Sequence, residues 1–166
     1  MLVAMTLSCK DQPSREMALL GKPRDSVILD NIHTYFDSLW NLKDTTYLRK
    51  ISGPGFVRIL NGIPVAEGRR EMQSHLHVFF SAFPDLKCTL DRVFIEDHTA
   101  FILWTTEGTN TGVYGEVGAT GKKVKINGMA QMNFDEEGKL FQEYVYYNDL
   151  ELLQQLGYTL VPPVLE

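Results

Sequence analysis

The stretch Lys139–Gly157, KLFQEYVYYNDLELLQQLG, constrains the fold most, because its hydrophobic period changes partway along. As far as Asn148 the side chains alternate between two faces, which predicts a strand. Beyond Asn148, leucines recur at helical spacing and Gly157 follows as a helix stop. The sequence therefore predicts an aromatic strand that leads into a short helix. We expect this strand to form the floor of a binding pocket, with Asn148 and Asp149 at its end.

The length and charge of the chain exclude several classes of protein. At 166 residues the chain is long enough for one domain with a substantial core. Its formal net charge is -5, and acidic and basic residues are mixed, which argues against a nucleic-acid partner. Its two cysteines lie far apart and no Cys/His cluster has metal-ligand spacing. We therefore expect neither a nucleic-acid partner nor a metal site.

Residues 1–24 read as a signal-like or lipoprotein-like segment followed by a linker. The apolar run ends in Leu7, Ser8 and Cys9, which resembles the lipidation site of bacterial lipoproteins, but positive residues are missing from its start. Two alternatives stay open. If Cys9 is processed, the protein is periplasmic or tethered to a membrane; otherwise it is cytoplasmic and Cys9 is a free thiol.

Helical periods come early in the remaining chain and strand periods come late. The predicted helices are Asp25–Leu42, Thr45–Ile51 and Gly68–Phe83, with Ser52–Gly55 as a break after the second. The predicted strands are Phe56–Leu60, Ile63–Ala66, Leu86–Glu96, Ala100–Glu107, Val124–Phe134 and the aromatic strand after Lys139. Residues 108–123 read as a long loop, and residues 159–166 as a tail. This order predicts an α+β fold: a strongly curved, mostly antiparallel sheet forming a cone, with three helices enclosing a cavity.

Aromatic and amide side chains are the candidates for the wall of that cavity. The aromatic candidates are Phe36, Trp40, Trp104, Tyr144 and Tyr146. Strand Val124–Phe134 carries a row of polar side chains on one face, consisting of Asn127, Met129, Gln131 and Asn133. These amides either face solvent or converge on a polar ligand, and Gln131 is the one we expect to point inward.

Five short motifs occur in the order found in a known family. They are Phe83–Leu86, Trp104, Gly108–Gly112, Ala119–Lys123 and Tyr144–Gly157. Together they resemble the SnoaL-like polyketide cyclases of the nuclear-transport-factor-2-like superfamily, over about residues 25–158. The resemblance implies a cone that is usually dimeric through its sheet face. It also implies ring closure of a polyketide ester by an intramolecular aldol reaction without cofactor.

Three positions depart from the pattern of that family. Asn110 stands where the family usually has a histidine, Tyr144 where it has a tryptophan, and Asn148 where it has the acid/base aspartate. Because an amide does not titrate near neutral pH, Asn148 can orient a carbonyl but cannot remove a proton. The substituted site predicts a degenerate cyclase without the usual acid/base, which binds an apolar, carbonyl-bearing small molecule without turning it over.

Two other functions stay open. The protein is alternatively a cofactor-independent cyclase or hydrolase-like enzyme, with His75, Asp149 or an ordered water as the base. His75 lies beside the apolar stripe of its helix, and Asp149 reaches the cavity face only if a bulge intervenes. In the third reading the cone is packed solid and its sheet face forms a homodimer.

Overall fold

The described part of the chain folds into one six-stranded sheet with helices on its inner face. The computed structural model describes residues 23–116 and 118–162. The strands are β1 Ser52–Leu60, β2 Ile63–Glu67, β3 Lys87–Glu96, β4 Thr99–Thr109, β5 Lys123–Phe134 and β6 Leu140–Tyr147. The helices are α1 Pro23–His33, α2 Leu48–Ile51, α3 Gly68–Ala82 and α4 Asp149–Leu156. Cys9 lies outside the described residues. No described helix is long and apolar enough to cross a membrane.

The order of the strands in the sheet is β2-β1-β6-β5-β4-β3, and the sheet is not closed. Strands β1 and β6 pair in parallel and every other neighbouring pair is antiparallel. The α+β prediction is therefore confirmed, with four helices in place of the three enclosing helices predicted. The parallel pair brings together residues from the second fifth and the last fifth of the chain.

The predicted break at Ser52–Gly55 is wrong, since these residues begin β1. Ser52 pairs with Leu140 of β6, and the next paired residue of β1 is Val57, opposite Gln142. The glycines and the proline lie in the irregular stretch between these two pairs. A strand tolerates them there, because no ladder hydrogen bond requires the N–H that proline lacks.

The first helix also differs from the prediction of one α-helix over Asp25–Leu42. It is α-helical to His33 and continues as a π-helix over Thr34–Asn41, where the Leu42 N–H bonds the Asp37 carbonyl at 3.1 Å. In an α-helix, residues five apart lie about 140° apart around the axis. The wider π winding brings Tyr35 and Trp40 to one side, where their ring centroids are 6.3 Å apart.

Alternate residues of the long strands form the core beneath the helices. Ile102 of β4 and Met132 of β5 point inward, where they meet Ile32, Leu39 and other apolar residues of the first helix. The short helix α4 follows β6 directly, as predicted. Gly157 ends it in the left-handed region at φ 108°.

The loop between β4 and β5 is held at both ends by the buried side chain of Asn110. Its amide nitrogen donates to the carbonyls of Ala82 and Gly112, at 3.3 and 2.8 Å. Its carbonyl oxygen accepts from the backbone N–H and the hydroxyl of Thr120, at 2.8 and 2.9 Å. Gly112 packs against Ser81 at the end of α3, where an added Cβ would lie 2.0 Å from a carbonyl oxygen. The side chain of Asn110 therefore holds this loop against the end of α3.

Replacing Asn110 by alanine is expected to lower the free energy of unfolding by about 2–3 kcal/mol. The change leaves the part-buried N–H of Thr120 without its acceptor, and an unsatisfied group of this kind costs roughly 1–3 kcal/mol. The Ala82 carbonyl loses one donor but keeps the N–H groups of Thr111 and Gly112. Urea unfolding followed by circular dichroism measures the loss. The control is Asn127→Ala, an exposed amide expected to change stability by less than about 0.5 kcal/mol. Equal losses of stability in the two variants would contradict the proposed role of Asn110 in holding the loop.

Candidate functional site

A cavity lies between the inner face of the sheet and the first and third helices. Its volume is about 60 Å³, and its wall is mostly aromatic and aliphatic. Drug-sized ligands occupy sites of roughly 300–1,000 Å³, so this cavity admits a compact group of a few heavy atoms. The exposed residue Glu107 belongs to the wall, and with Gly108 and Val124 it marks the end at which the cavity opens.

Three polar side chains meet at the deep end of this cavity, and we call them the buried triad: Tyr35, Arg58 and Glu143. All three are at least 95% buried. An Arg58 Nη1 atom donates to the Glu143 carboxylate at 2.5 Å and to the Tyr35 hydroxyl oxygen at 2.7 Å. The Tyr35 hydroxyl lies 2.9 Å from each carboxylate oxygen and donates to Glu143. Each member of the triad thus contacts both of the others.

The pairing of β1 with β6 and the position of the π-helical segment explain why the triad forms. The parallel register pairs Arg58 of β1 directly with Glu143 of β6, so their side chains leave the sheet on the same face. Tyr35 comes from the π-helical segment above that face. Trp40 of the same segment packs against Arg58, whose guanidinium lies 5.5 Å from the ring centroid.

Burial and mutual charge govern the protonation of the triad. Burial raises the pKa of Tyr35 far above its ordinary range; Arg58 opposes this shift and Glu143 adds to it, so the hydroxyl stays protonated. Burial alone would lower the pKa of Arg58, but the Glu143 carboxylate outweighs it and keeps the guanidinium charged. The triad therefore carries one positive and one negative charge. Such a pair is costly to desolvate and is weak evidence for stability, which favours a functional reason for its presence.

One donor of the triad is left over. The Nε atom of Arg58 is buried and has no hydrogen-bond partner among the described residues. Most buried polar groups in proteins are paired, so an exception in a cavity wall marks a place where a ligand atom or a water can bind. Arg58 belongs to the wall of the cavity, so a charged group with this one unpaired donor interrupts a mostly apolar wall.

The predicted aromatic candidates fall into two groups. The structure places Phe36, Trp40 and Trp104 in the cavity wall. Tyr144 and Tyr146 are on the opposite face of β6, because it is Glu143, Val145 and Tyr147 that point inward.

The row of side chains on β5 lies on the outer face of the sheet. Met129 is 45% exposed and pairs across strands with Leu103 and Tyr146. Gln131 does not point inward, as its amide donates to Asn133 on that outer face. Of the two orientations that we considered for these side chains, the structure therefore has the one that faces solvent. The strand alternation sends Val124, Ile126 and Ala130 into the cavity instead.

Asn148 and Asp149 lie outside the cavity, at the start of α4. The side-chain oxygen of Asn148 accepts from the Glu151 N–H at 3.1 Å, which caps the helix. The Asp149 carboxylate accepts from the Asn61 amide at 2.5 Å. Burial raises the pKa of the neighbouring Tyr147 above its ordinary range, and Tyr114 and Asp149 raise it further. Asn148 thus has a structural task in this chain, as the cap of α4.

His75 occupies a half-buried position on α3 that does not line the cavity. Its ring lies 5.3 Å from that of Phe79, which does line it. Its Nε2 atom is buried without a hydrogen-bond partner among the described residues. Burial lowers the pKa of His75 to about 4, and the positive charge of Arg58 contributes to the shift.

The sequence contained a signal for the triad that our predictions did not use. Glu143 alternates with Val145 and Tyr147, and Arg58 follows Phe56 at the same period of two. A single charge at a core-facing position of each of two strands is unusual and predicts a buried partner of opposite sign. Among the described residues, no three His, Cys, Asp or Glu side chains form a group that could hold a metal ion.

Comparisons with known proteins agree with this architecture. The family model of the SnoaL-like polyketide cyclases matches residues 31–156. No match was found among curated protein sequences.

Solved structures with the same fold share little sequence with the chain. A proposed SnoaL-like polyketide cyclase from Jannaschia sp. CCS1 superposes with a TM-score of 0.76 at 20% identity, covering 86% of this chain and 97% of its own. AclR, a proposed hydroxylase from Streptomyces galilaeus, has a TM-score of 0.67 at 23% identity, covering 81% and 95%. IdmH, a proposed polyketide cyclase from Streptomyces antibioticus, has a TM-score of 0.68 at 18% identity, covering 79% and 99%. At these identities the likeness shows the fold alone, whereas the family model covers most of the chain: the protein belongs to the SnoaL-like polyketide cyclase family.

Proposed function

We propose that the cavity binds a compact, mostly apolar small molecule through a carbonyl oxygen, and that Arg58 supplies the hydrogen bond. The observation that carries the proposal is the buried, unpartnered Nε–H of Arg58 in the wall of an apolar cavity. A donor of this kind gains a partner when a carbonyl oxygen enters, whereas an alkane leaves it unsatisfied. The hydrogen bond is charge-assisted and therefore stronger than one between neutral groups.

The charge of the triad favours a neutral ligand. Glu143 already balances the positive charge of Arg58, at 2.5 Å. A carboxylate ligand would add a second negative charge at a buried site, and an unpaired buried charge is costly. A ketone or an ester has the required acceptor and adds no charge. Relatives described as polyketide cyclases support this class of ligand, since polyketides carry such carbonyl groups.

The alternative functions based on other groups have weaker support. As a base, His75 is poorly matched to neutral pH, because its pKa is about 4 and its ring is not in the cavity wall. Asp149 is exposed and bonded to Asn61. An ordered water held between Asn148 and Gln131 has weaker support, because Asn148 lines a depression on the outer face of the sheet in place of this cavity, and Gln131 lines neither.

We also propose that the protein forms a homodimer through the outer face of its sheet. A row of apolar side chains, Leu103, Met129 and Tyr146, crosses three strands there, and each is more than 40% exposed. Phe101 lies beside this row and is 44% exposed. A contiguous apolar surface rimmed by amides is typical of an interaction site.

Cyclopentanone is expected to bind the protein about 10- to 100-fold more tightly than methylenecyclopentane. The two molecules have similar shapes, and the ketone gains one hydrogen bond to a charged donor, worth roughly 1.5–3 kcal/mol. Titration followed by the fluorescence of Trp40 and Trp104, or by NMR shifts, measures both affinities. Equal affinities in the unmodified protein would contradict the proposal.

A variant without the triad provides the matching test. Arg58→Met, Glu143→Leu and Tyr35→Phe together remove both charges, and such replacements of a buried ion pair are often neutral or stabilising by about 1–4 kcal/mol. The preference for the ketone is expected to disappear in this triple variant. It should persist in Arg70→Met, where the arginine is exposed on α3.

His75→Gln is expected to make folding less sensitive to acid. The pKa of His75 is about 4 in the folded protein and about 6.5 in the unfolded chain, so the unfolded chain binds the proton first. The unmodified protein therefore loses stability as the pH falls from about 6.5 toward 4, and the variant should lose less. Urea unfolding across this range measures the slope. His77→Gln, an exposed histidine of the same helix, should keep the slope of the unmodified protein.

Leu103→Lys is expected to weaken the homodimer at least 10-fold, because it introduces a charge into the apolar row. Sedimentation equilibrium measures the dissociation constant. Ile63→Lys, a 65% exposed apolar residue of the edge strand β2, is the control and should leave association unchanged. A monomeric unmodified protein, or equal weakening by both variants, would exclude this interface.

A further inference from the structure

We propose that Glu143 is a general base, which removes a proton from the carbon next to the carbonyl group held by Arg58. This inference rests on the proposed carbonyl binding and adds a reaction to it, namely enolisation of a bound ketone or ester. It also transfers the role of the base from the end of the last strand, where Asn148 stands, to an inward-facing residue five positions earlier in the sequence.

The carboxylate of Glu143 has the position and the unused lone pair that a general base requires. Glu143 is 1% exposed and belongs to the cavity wall. Its Oε2 atom accepts from both Arg58 and Tyr35, whereas its Oε1 atom accepts only from Tyr35, at 2.9 Å. A carboxylate has about four acceptor positions, so one remains on Oε1. Because Glu143 belongs to the mostly apolar wall of the cavity, a substrate bound there meets this carboxylate with little competition from water.

The proposed step balances in atoms and charge. The carbon–hydrogen bond breaks and the proton passes to Oε1 of Glu143. The electron pair of that bond forms a carbon–carbon double bond, and the negative charge moves to the carbonyl oxygen. Return of the proton to the carbon regenerates the ketone. In ring closure the enolate carbon instead attacks a second carbonyl carbon of the same molecule, the π bond of that carbonyl breaks, and its oxygen takes the proton from Glu143.

The triad keeps its charge balance during this step. Before the step Arg58 faces the negative carboxylate, and afterwards it faces the enolate oxygen while Glu143 is neutral. A negative charge thus lies beside the same guanidinium throughout, and the positive charge needs no large rearrangement. Trp40 packs against the guanidinium and Glu143 accepts from Nη1, so both hold the guanidinium in place and neither uses Nε.

Other groups around the cavity are less suited to the role. Burial raises the pKa of the Cys88 thiol to about 11 despite its contact with Thr106, and the thiol is therefore protonated at neutral pH. Tyr35 is protonated for the reason given above. Glu107 is exposed, and its strand β4 is separated from β6, which carries Glu143, by β5.

Exchange of the α-hydrogens of cyclopentanone in D2O tests the proposal, with NMR following the loss of their signal. The unmodified protein is expected to accelerate exchange over buffer. Glu143→Gln should lower this acceleration at least about 100-fold, since a positioned base contributes roughly 10²–10⁴-fold. Cyclopentanone affinity, measured on the same samples, should stay within a few-fold of that of the unmodified protein.

A second variant guards against loss of the fold. Glu143→Asp keeps the charge that Arg58 needs but withdraws the carboxylate by one methylene, and it should lower exchange while ketone binding persists. Asp149→Asn should leave exchange unchanged. Normal exchange in Glu143→Gln, or a loss of exchange in Asp149→Asn instead, would overturn the assignment. Ketone binding without accelerated exchange would refute the base alone, whereas absence of ketone binding would refute the proposed function.

Discussion

The salt bridge between Arg58 and Glu143 is the interaction on which the candidate site depends. It places two opposite charges in the core at 2.5 Å, where neither is exposed by more than 4%. Loss of one partner would leave an uncompensated buried charge, which costs about 3–5 kcal/mol. The pair therefore constrains what surrounds it: Tyr35 must satisfy the carboxylate, Trp40 must cover the guanidinium, and the rest of the wall can be apolar.

The π-helical segment of the first helix meets that constraint. Tyr35 and Trp40 both contact Arg58 although five residues separate them, and regular α-helical winding would turn them apart. Single π-type turns often occur at functional sites, because they rotate side chains that an α-helix would direct elsewhere. Here the rotation surrounds one charged group with a hydroxyl on one side and an indole ring on another.

Asn110 and Asn148 have structural tasks in this chain. Asn110 makes four side-chain hydrogen bonds that hold a loop, and Asn148 caps the short helix α4. Neither residue lines the cavity. The polar groups of the cavity are supplied by other elements, namely β1, β6 and the π-helical segment.

The sequence by itself determined the local elements of this protein. The hydrophobic period of two predicted the long strands, and the period of 3.6 predicted α3 and α4. Asn148 and Gly157 marked the two ends of α4. These signals are local, because each depends on neighbours in the chain. It also indicated Phe36, Trp40 and Trp104, which the cavity wall contains. Only the tertiary structure decided which face of β6 points inward. As a result Glu143 is in the cavity wall, and Tyr144 and Tyr146 are on the outer face. The parallel register of β1 and β6 depends on contacts between residues 85 apart, which no local pattern specifies. The same register joins Arg58 to Glu143, so the site itself is a product of long-range pairing.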